Sequence, residues 1–178
     1  MLDTNSSKGA AGQDLVDEMM RTATLEHFRA QEITLTLGDT LRGPLELELG
    51  LPELAARVLF RGSDGAGVLV LGCDADFALT VARINPSLQA WVLDHARQLA
   101  RRIEKRLRQF GVVVQLEMVQ PFGTALPARE APSSRTTTYC FGAASGRVFV
   151  QLDADLDLER IASVGEVPLR DEGDIILF

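Results

Sequence analysis

The sequence predicts an α+β domain whose sheet is mainly antiparallel, and three observations carry that reading. The segment LQAWVLDHARQLARRIEKRLRQF, residues 88–110, puts Val92, Ala96, Leu99, Ile103, Leu107 and Phe110 on one face of a 3.6-residue helix and crowds cations over the remainder. Short apolar runs of period two lie on both sides of it, joined by the glycine-containing turns that fold one strand back onto the next. Crossovers that would join parallel strands are few, so hairpin pairing dominates.

The elements follow in chain order. The opening MLDTNSSKGAAG is small and polar, and residues 1–13 are expected to form a disordered lead. From Asp14 to about Ala30, Leu15, Met19, Ala23 and Phe28, with Val16, Met20 and His27, recur at helical spacing. Asp17 and Glu18 are placed in the first turn, where the macrodipole favours acids. ITLTLGD and LELELGL then alternate as half-buried strands, separated by Gly43 and Pro44. LAARVLFRG, the turn SDGAG and VLVLGC predict a hairpin in the middle of the sheet, with positive φ angles at Asp64-Gly65 and Gly67.

Asp74 is expected to cap a short helix, DADFALTVARI, ended by Asn85 and Pro86, after which Ser87 caps the long helix and Gly111 stops it. VVVQLEMV follows, then the loop ALPAREAPSSR, then TTTYCFGA and RVFVQLDA as a second hairpin turning at Ser145-Gly146.

Residues 14–178 are read as a single domain, since 178 residues with 46% hydrophobic content suit one core. With 25 acids against 18 bases the net charge is −7, which opposes general attraction to nucleic acid and to anionic lipid. No nucleic-acid partner is expected. No apolar run reaches the length of a membrane span, and the N-terminus lacks the charged and apolar regions of a secretory signal, so the chain is placed in the cytoplasm. Cys73 and Cys140 stand in apolar strand-like runs and are read as reduced and buried, with pairing between them open in principle.

Other chemistries find little support. Asp153, Asp155, Asp157 and Glu159 alternate like a calcium loop, but Leu158 and Val164 occupy the places that need glycine and glutamate; a strand edge followed by an N-cap for LERIA fits better. His27 and His95 have no second histidine or cysteine at ligand spacing, so no metal is expected. There is no nucleophile elbow, phosphate loop or dinucleotide fingerprint, and no cofactor is expected. Trp91, Met19 and Met20 fit packing positions.

The helix over 14–30, the hairpin ending in GVLVLGC, the helices ADFALTVARI and DHARQLARRIEKRL, and the passage FGVVVQLEMVQPFGTALP together resemble the CheC/CheX/FliM fold family over about residues 14–155. Within the family the likeness is to its chemotaxis phosphatase members. The resemblance implies a role in chemotaxis or two-component signalling, with a response regulator or flagellar-switch component as protein partner. It also implies a glutamate and, three residues later, an asparagine on the exposed face of the long helix, the asparagine orienting the water that attacks an aspartyl phosphate.

Those places fall here on Asp94 and Arg97. Aspartate keeps the charge with a shorter reach, but a guanidinium donates hydrogen bonds and accepts none from an attacking water. It suits binding to a phosphorylated partner better than it suits catalysis. Arg97, Arg101, Arg102, Lys105, Arg106 and Arg108 reverse the sign of the chain locally, opposed on this helix by Asp94 and Glu104, and Asp94, Arg97, Arg101 and Lys105 are the expected partner-binding residues.

The expectation is thus a signalling module with little or no phosphatase activity. One alternative is an active aspartyl-phosphate phosphatase with an altered constellation. A second is a structural homodimer joined through the apolar tail GDIILF. The bland reading of Asp94 and Arg97 is an i,i+3 ion pair on a solvated face.

Overall fold

The computed structural model of the chain describes residues 4–42, 54–82, 87–122 and 136–165. In chain order the elements are α1 (Thr4–Arg29), β1 (Thr36–Arg42), β2 (Leu54–Gly62), β3 (Gly65–Cys73), α2 (Ala75–Val81), α3 (Leu88–Gln109), β4 (Gln115–Pro121), β5 (Thr137–Ala143), β6 (Gly146–Leu156) and α4 (Leu158–Gly165). The expected strand LELELGL, the loop ALPAREAPSSR, the helix stop at Asn85 and Pro86, and the tail GDIILF lie outside the described residues.

All five strand pairings are antiparallel, and the order across the sheet is β1-β5-β6-β3-β2-β4. Two local hairpins build most of it. In β2–β3 Gly62 faces Gly65, in β5–β6 Ala143 faces Gly146, and the two are sewn together by β3–β6, where Leu71 opposes Val150. Strand residues two apart share a face, so Ala56, Val58 and Phe60, Leu69, Leu71 and Cys73, and Val148, Val150 and Leu152 line one buried side.

On that side α3 lies across β2, β4 and β3 and touches α1, which in turn carries α4. Val92, Leu99, Ile103 and Leu107 are all buried, at 0%, 0%, 5% and 2% exposure, as their spacing predicts. At about 1.5–3 kcal/mol for each fully buried aliphatic side chain, these four alone contribute on the order of 6–12 kcal/mol of gross apolar stabilisation. Both ends of the helix are fixed. The Ser87 hydroxyl accepts from Ala90 N at 3.2 Å, and the Gln89 side chain donates to the Ala55 carbonyl of β2 at 3.1 Å. At the other end Gly111, with φ of +74°, lets Gly111 N reach Arg108 O and Val112 N reach Leu107 O, each at 3.0 Å, which is a Schellman stop.

Several expectations need correction. Helix α1 starts at Thr4, so the lead expected to be disordered is helical from that residue on. The cause is tertiary: α4 docks so closely that a Cβ at Gly12 would lie 2.1 Å from the Leu158 carbonyl oxygen. Asp17 therefore sits mid-helix, and instead of meeting a dipole it is buried at 4% exposure. It accepts from Tyr139 Oη at 2.8 Å and from the Gln13 amide at 2.9 Å, and it pairs with Arg42. Burial and the Asp17 carboxylate push the Tyr139 phenol up, which keeps it a donor.

The β2–β3 turn uses no positive φ at Asp64, Gly65 or Gly67. Asp64 instead accepts from Val113 N at 3.0 Å and from Arg160 at 2.8 Å, tying the turn to the approach of β4 and to α4. Asp74 precedes α2, but its carboxylate accepts from Arg147 N and Nε of β6 at 3.0 and 3.2 Å and leaves the helix end alone. Asp157 does cap α4, accepting from Arg160 N at 3.0 Å. Cys73 is buried, and burial pushes its thiol up to about 12, whereas Cys140 is only half-buried. The two pair with successive residues of β6, Val148 and Phe149, so a whole strand separates them and both are free thiols.

The contact between α1 and α3 contains a feature the sequence reading did not anticipate. His27 Nε2 and His95 Nδ1 are 2.9 Å apart, both rings buried, inside a nest of Phe28, Phe77 and Trp91. His95 stacks on Phe28 at 5.8 Å between centroids, and the Trp91 ring lies 4.2 Å from it. His27 Nδ1 is buried with no partner. A bare ring nitrogen there costs less than an unpaired N–H, so we assign His27 as the Nε2–H donor and His95 Nδ1 as the acceptor. Burial, then the facing His95 and Arg102, lower His27 from 6.5 to about 4, with Asp94 opposing; burial likewise lowers His95.

Two outcomes follow for stability. Leu99→Ala opens a cavity at a site with no exposure and is expected to lower unfolding stability by about 3 kcal/mol in a urea titration. The histidine pair gives a pH dependence: the unfolded chain takes up protons near pH 6.5 whereas folded His27 resists to about 4, so stability declines as pH falls through that window. Unfolding midpoints measured from pH 7 to 4.5 are expected to fall, and His27→Gln, which keeps a donor toward His95 but removes the titration, is expected to flatten the slope.

Candidate functional site

An α-helix with one side sealed by core presents its other side as a rigid ruler, because residues three and four apart stand above one another. In α3 the sealed side is Trp91, Val92, His95, Ala96, Leu99, Ala100, Ile103 and Leu107. Asp94, Arg97, Arg101 and Lys105 are all exposed. At 3.6 residues per turn they fall within an arc of roughly 80°, along roughly 16 Å of helix. The structure thus places the four sequence-predicted residues on one surface strip.

Within that strip the pairing differs from the simplest expectation. Asp94 makes no ion pair with Arg97; its Oδ2 accepts from Gln98 Nε2 at 2.7 Å, an i,i+4 contact. The cations also divide. Arg106 donates to Glu26 of α1 at 2.6 Å and Arg108 to Glu104 at 3.0 Å, so these two are neutralised within the protein. Arg97, Arg101 and Arg102 point to solvent and form no ion pair among the described residues. What remains is one carboxylate flanked on one side by an amide and on the other by guanidinium groups.

The chemistry available to this strip is recognition of an anionic surface, with hydrogen-bond donors in excess of acceptors. Sequence reasoning missed Gln98. Its signal in the sequence is an amide four residues after the acid, the spacing at which two side chains meet on a helix surface. The histidine pair lies directly beneath, since His95 adjoins Asp94 in the chain and points inward.

A cavity of about 570 Å³ lies elsewhere, between α1, α4 and the ends of β5 and β6, lined by Gln13, Val16, Arg42, Thr137, Leu152 and Leu158. No residue of α3 lines it. Arg42 is engaged there by Asp17 and lies near Thr137 Oγ1 at 3.4 Å, which serves the fold. Among the described residues no cluster of three or more histidine, cysteine or acidic side chains is arranged to hold a metal, and no helix is long and apolar enough to cross a membrane.

No protein-family model and no curated protein matches the chain. Solved structures do. The chemotaxis protein CheX from Vibrio vulnificus superposes with a TM-score of 0.64 at 9% identity, covering 77% of this chain and 97% of that one. A CheX–CheY–BeF3–Mg complex from Borrelia burgdorferi gives 0.59 at 15%, covering 77% and 96%. The FliM middle domain from H. pylori gives 0.58 at 11%, covering 90% and 99%. At such identities the likeness is one of fold, and the fold of this chain is that of the CheC/CheX/FliM family.

Proposed function

We propose that the chain is a module of chemotaxis or two-component signalling that docks a response regulator or flagellar-switch component on the exposed strip of α3. The observation that carries this is the exposed row of Asp94, Arg97, Arg101 and Lys105, held on a helix whose opposite face and both ends are fixed. On this helix of a chain with a net charge of −7, Arg97, Arg101 and Arg102 stand exposed and form no ion pair among the described residues. Such a local reversal of sign steers a partner bearing the opposite charge and fixes its orientation. The fold supports the same reading, since one protein that shares it was solved as a complex of CheX with CheY and beryllofluoride.

The roles divide by chemistry. Asp94 accepts hydrogen bonds from a partner's backbone or cationic side chain. Arg97 meets the phosphoryl group, where a planar fork of donors matches phosphate oxygens. Arg101 and Lys105 extend the contact along the helix as a steering row. The module acts at the cytoplasmic side of a signalling chain, where receiver domains are phosphorylated on aspartate.

Binding to receiver domains activated with beryllofluoride tests the proposal by calorimetry. Arg97→Glu with Arg101→Glu is expected to weaken binding by about tenfold or more and to leave a shallower dependence on salt. Equal affinity of the double variant and the parent would remove α3 from the interface.

A further inference from the structure

We propose that the cavity between α1, α4 and the sheet binds a short apolar peptide, held by its carboxylate at Arg42 and Thr137 and by its ammonium at the acids of α4. No residue of α3 lines the cavity, so this site is separate from the docking strip. Its volume of about 570 Å³ lies in the range of small-molecule sites.

The first observation is a surplus of positive charge at one end. Arg21 and Arg42 both act on the Tyr139 phenol, yet among the described residues Asp17 is the only carboxylate within ion-pair distance of either. Arg21 donates to Thr40 Oγ1 at 3.1 Å, and its Nε is buried without a partner. Asp17 is already engaged by Arg42, Tyr139 and Gln13. One positive charge therefore stays uncompensated where Arg42, with half of its side chain exposed, lines the cavity. Beside it Thr137 is 3% exposed; its Oγ1 accepts from Arg42 Nη1 at 3.4 Å, and its own hydroxyl proton has no acceptor among the described residues. A guanidinium and a hydroxyl with donors to spare suit a carboxylate.

The other end has the opposite sign. Asp155, Asp157 and Glu159 line it where β6 passes into α4. Oδ1 of Asp157 accepts from Arg160 N, and Glu159 is exposed on the first turn of α4 with no ion pair among the described residues. Carboxylates there repel a second anion and attract an ammonium. Between the two ends the wall is apolar, formed by Val16, Leu152 and Leu158.

These features select length as well as chemistry. Arg42 pairs with Thr137 and Thr137 with Leu152, so the guanidinium end is level with Leu152, and Asp157 follows five places later. At about 3.3 Å per residue the ends stand roughly 16 Å apart at the backbone. Side chains reach inward from both, and an extended tripeptide of about 10 Å spans the remainder. A free α-amino acid is too short to meet both ends, and a fatty acid brings no ammonium. Apolar peptide side chains displace water from Val16, Leu152 and Leu158.

Calorimetry on the full chain tests this with trileucine, beside the same peptide amidated at its C-terminus or acetylated at its N-terminus. Trileucine is expected to bind, and each blocked form to bind about tenfold more weakly or worse. A ligand of the folded state alone raises the unfolding midpoint, and trileucine is expected to do so. Arg42→Gln would strip buried Asp17 of its counter-charge, so the protein side of the test uses other positions. Gly9 lines the cavity, and a Cβ there would meet nothing within 4 Å. Gly9→Phe is expected to fill the space, to keep an unfolding midpoint no lower than the parent's, and to lose trileucine binding about tenfold or more. Glu159→Gln, a surface change, is expected to weaken trileucine and to leave the acetylated peptide unaffected. A parent that does not bind trileucine, a blocked peptide that binds as tightly as trileucine, or a Gly9→Phe variant that binds like the parent would each overturn the proposal. None of these outcomes bears on α3, so the docking role stands or falls by its own test.

Discussion

Helix α3 has to satisfy two opposed demands along one 22-residue segment, and the rest of the molecule is arranged around that constraint. Eight of its side chains are buried against β2, β4, β3 and α1, while the opposite side keeps its charges in water. Apolar burial sets the rotation of the helix about its axis. The Ser87 cap, the Gln89 contact to β2 and the Gly111 stop set its position along the axis. With both degrees of freedom removed, the spacing between Asp94, Arg97 and Gln98 is determined by helix geometry alone. A loop could not hold three such groups in register without a far larger entropic penalty.

The electrostatics show a comparable division of labour. Arg106 and Arg108 have acidic neighbours within the protein, whereas Arg97, Arg101 and Arg102 face solvent. On the other side of α1 the logic is inverted: Asp17 is buried and fully engaged by Tyr139, Gln13 and Arg42, so its charge serves to fix α1 against β5. A buried carboxylate without those partners would be strongly destabilising. The same residue type therefore reports fold at position 17 and surface chemistry at position 94, and burial is what separates them.

How far the sequence could be read follows from the range of the forces involved. α3, its Ser87 cap, its Gly111 stop and both hairpins were legible because periodicity, caps and tight turns are decided by residues within a few places of one another. The start of α1 was not, since the residues before Asp14 have weak helical signals and the helix packs there, at Gly12, against Leu158 of α4, more than a hundred residues away. Asp17 was misassigned for the same reason: its meaning comes from Tyr139 and Arg42. The histidine pair joins positions 68 residues apart and leaves no spacing signature. Asp94 and Arg97 were named from a pattern, yet their actual partners depend on side-chain rotamers, and these gave Asp94 to Gln98.

The position of Trp91 gives the molecule an optical property of its own. It is the single tryptophan of the chain, and its ring lies 4.2 Å from the imidazole of His95, one helical turn before Asp94. Imidazolium quenches indole emission more strongly than neutral imidazole does. The intrinsic fluorescence of the protein is consequently a readout of the histidine pair, with no label to disturb the surface above it. Because the pair bridges α1 and α3, the same signal follows the seating of the helix that carries Asp94, Arg97 and Gln98, in real time and at micromolar concentration.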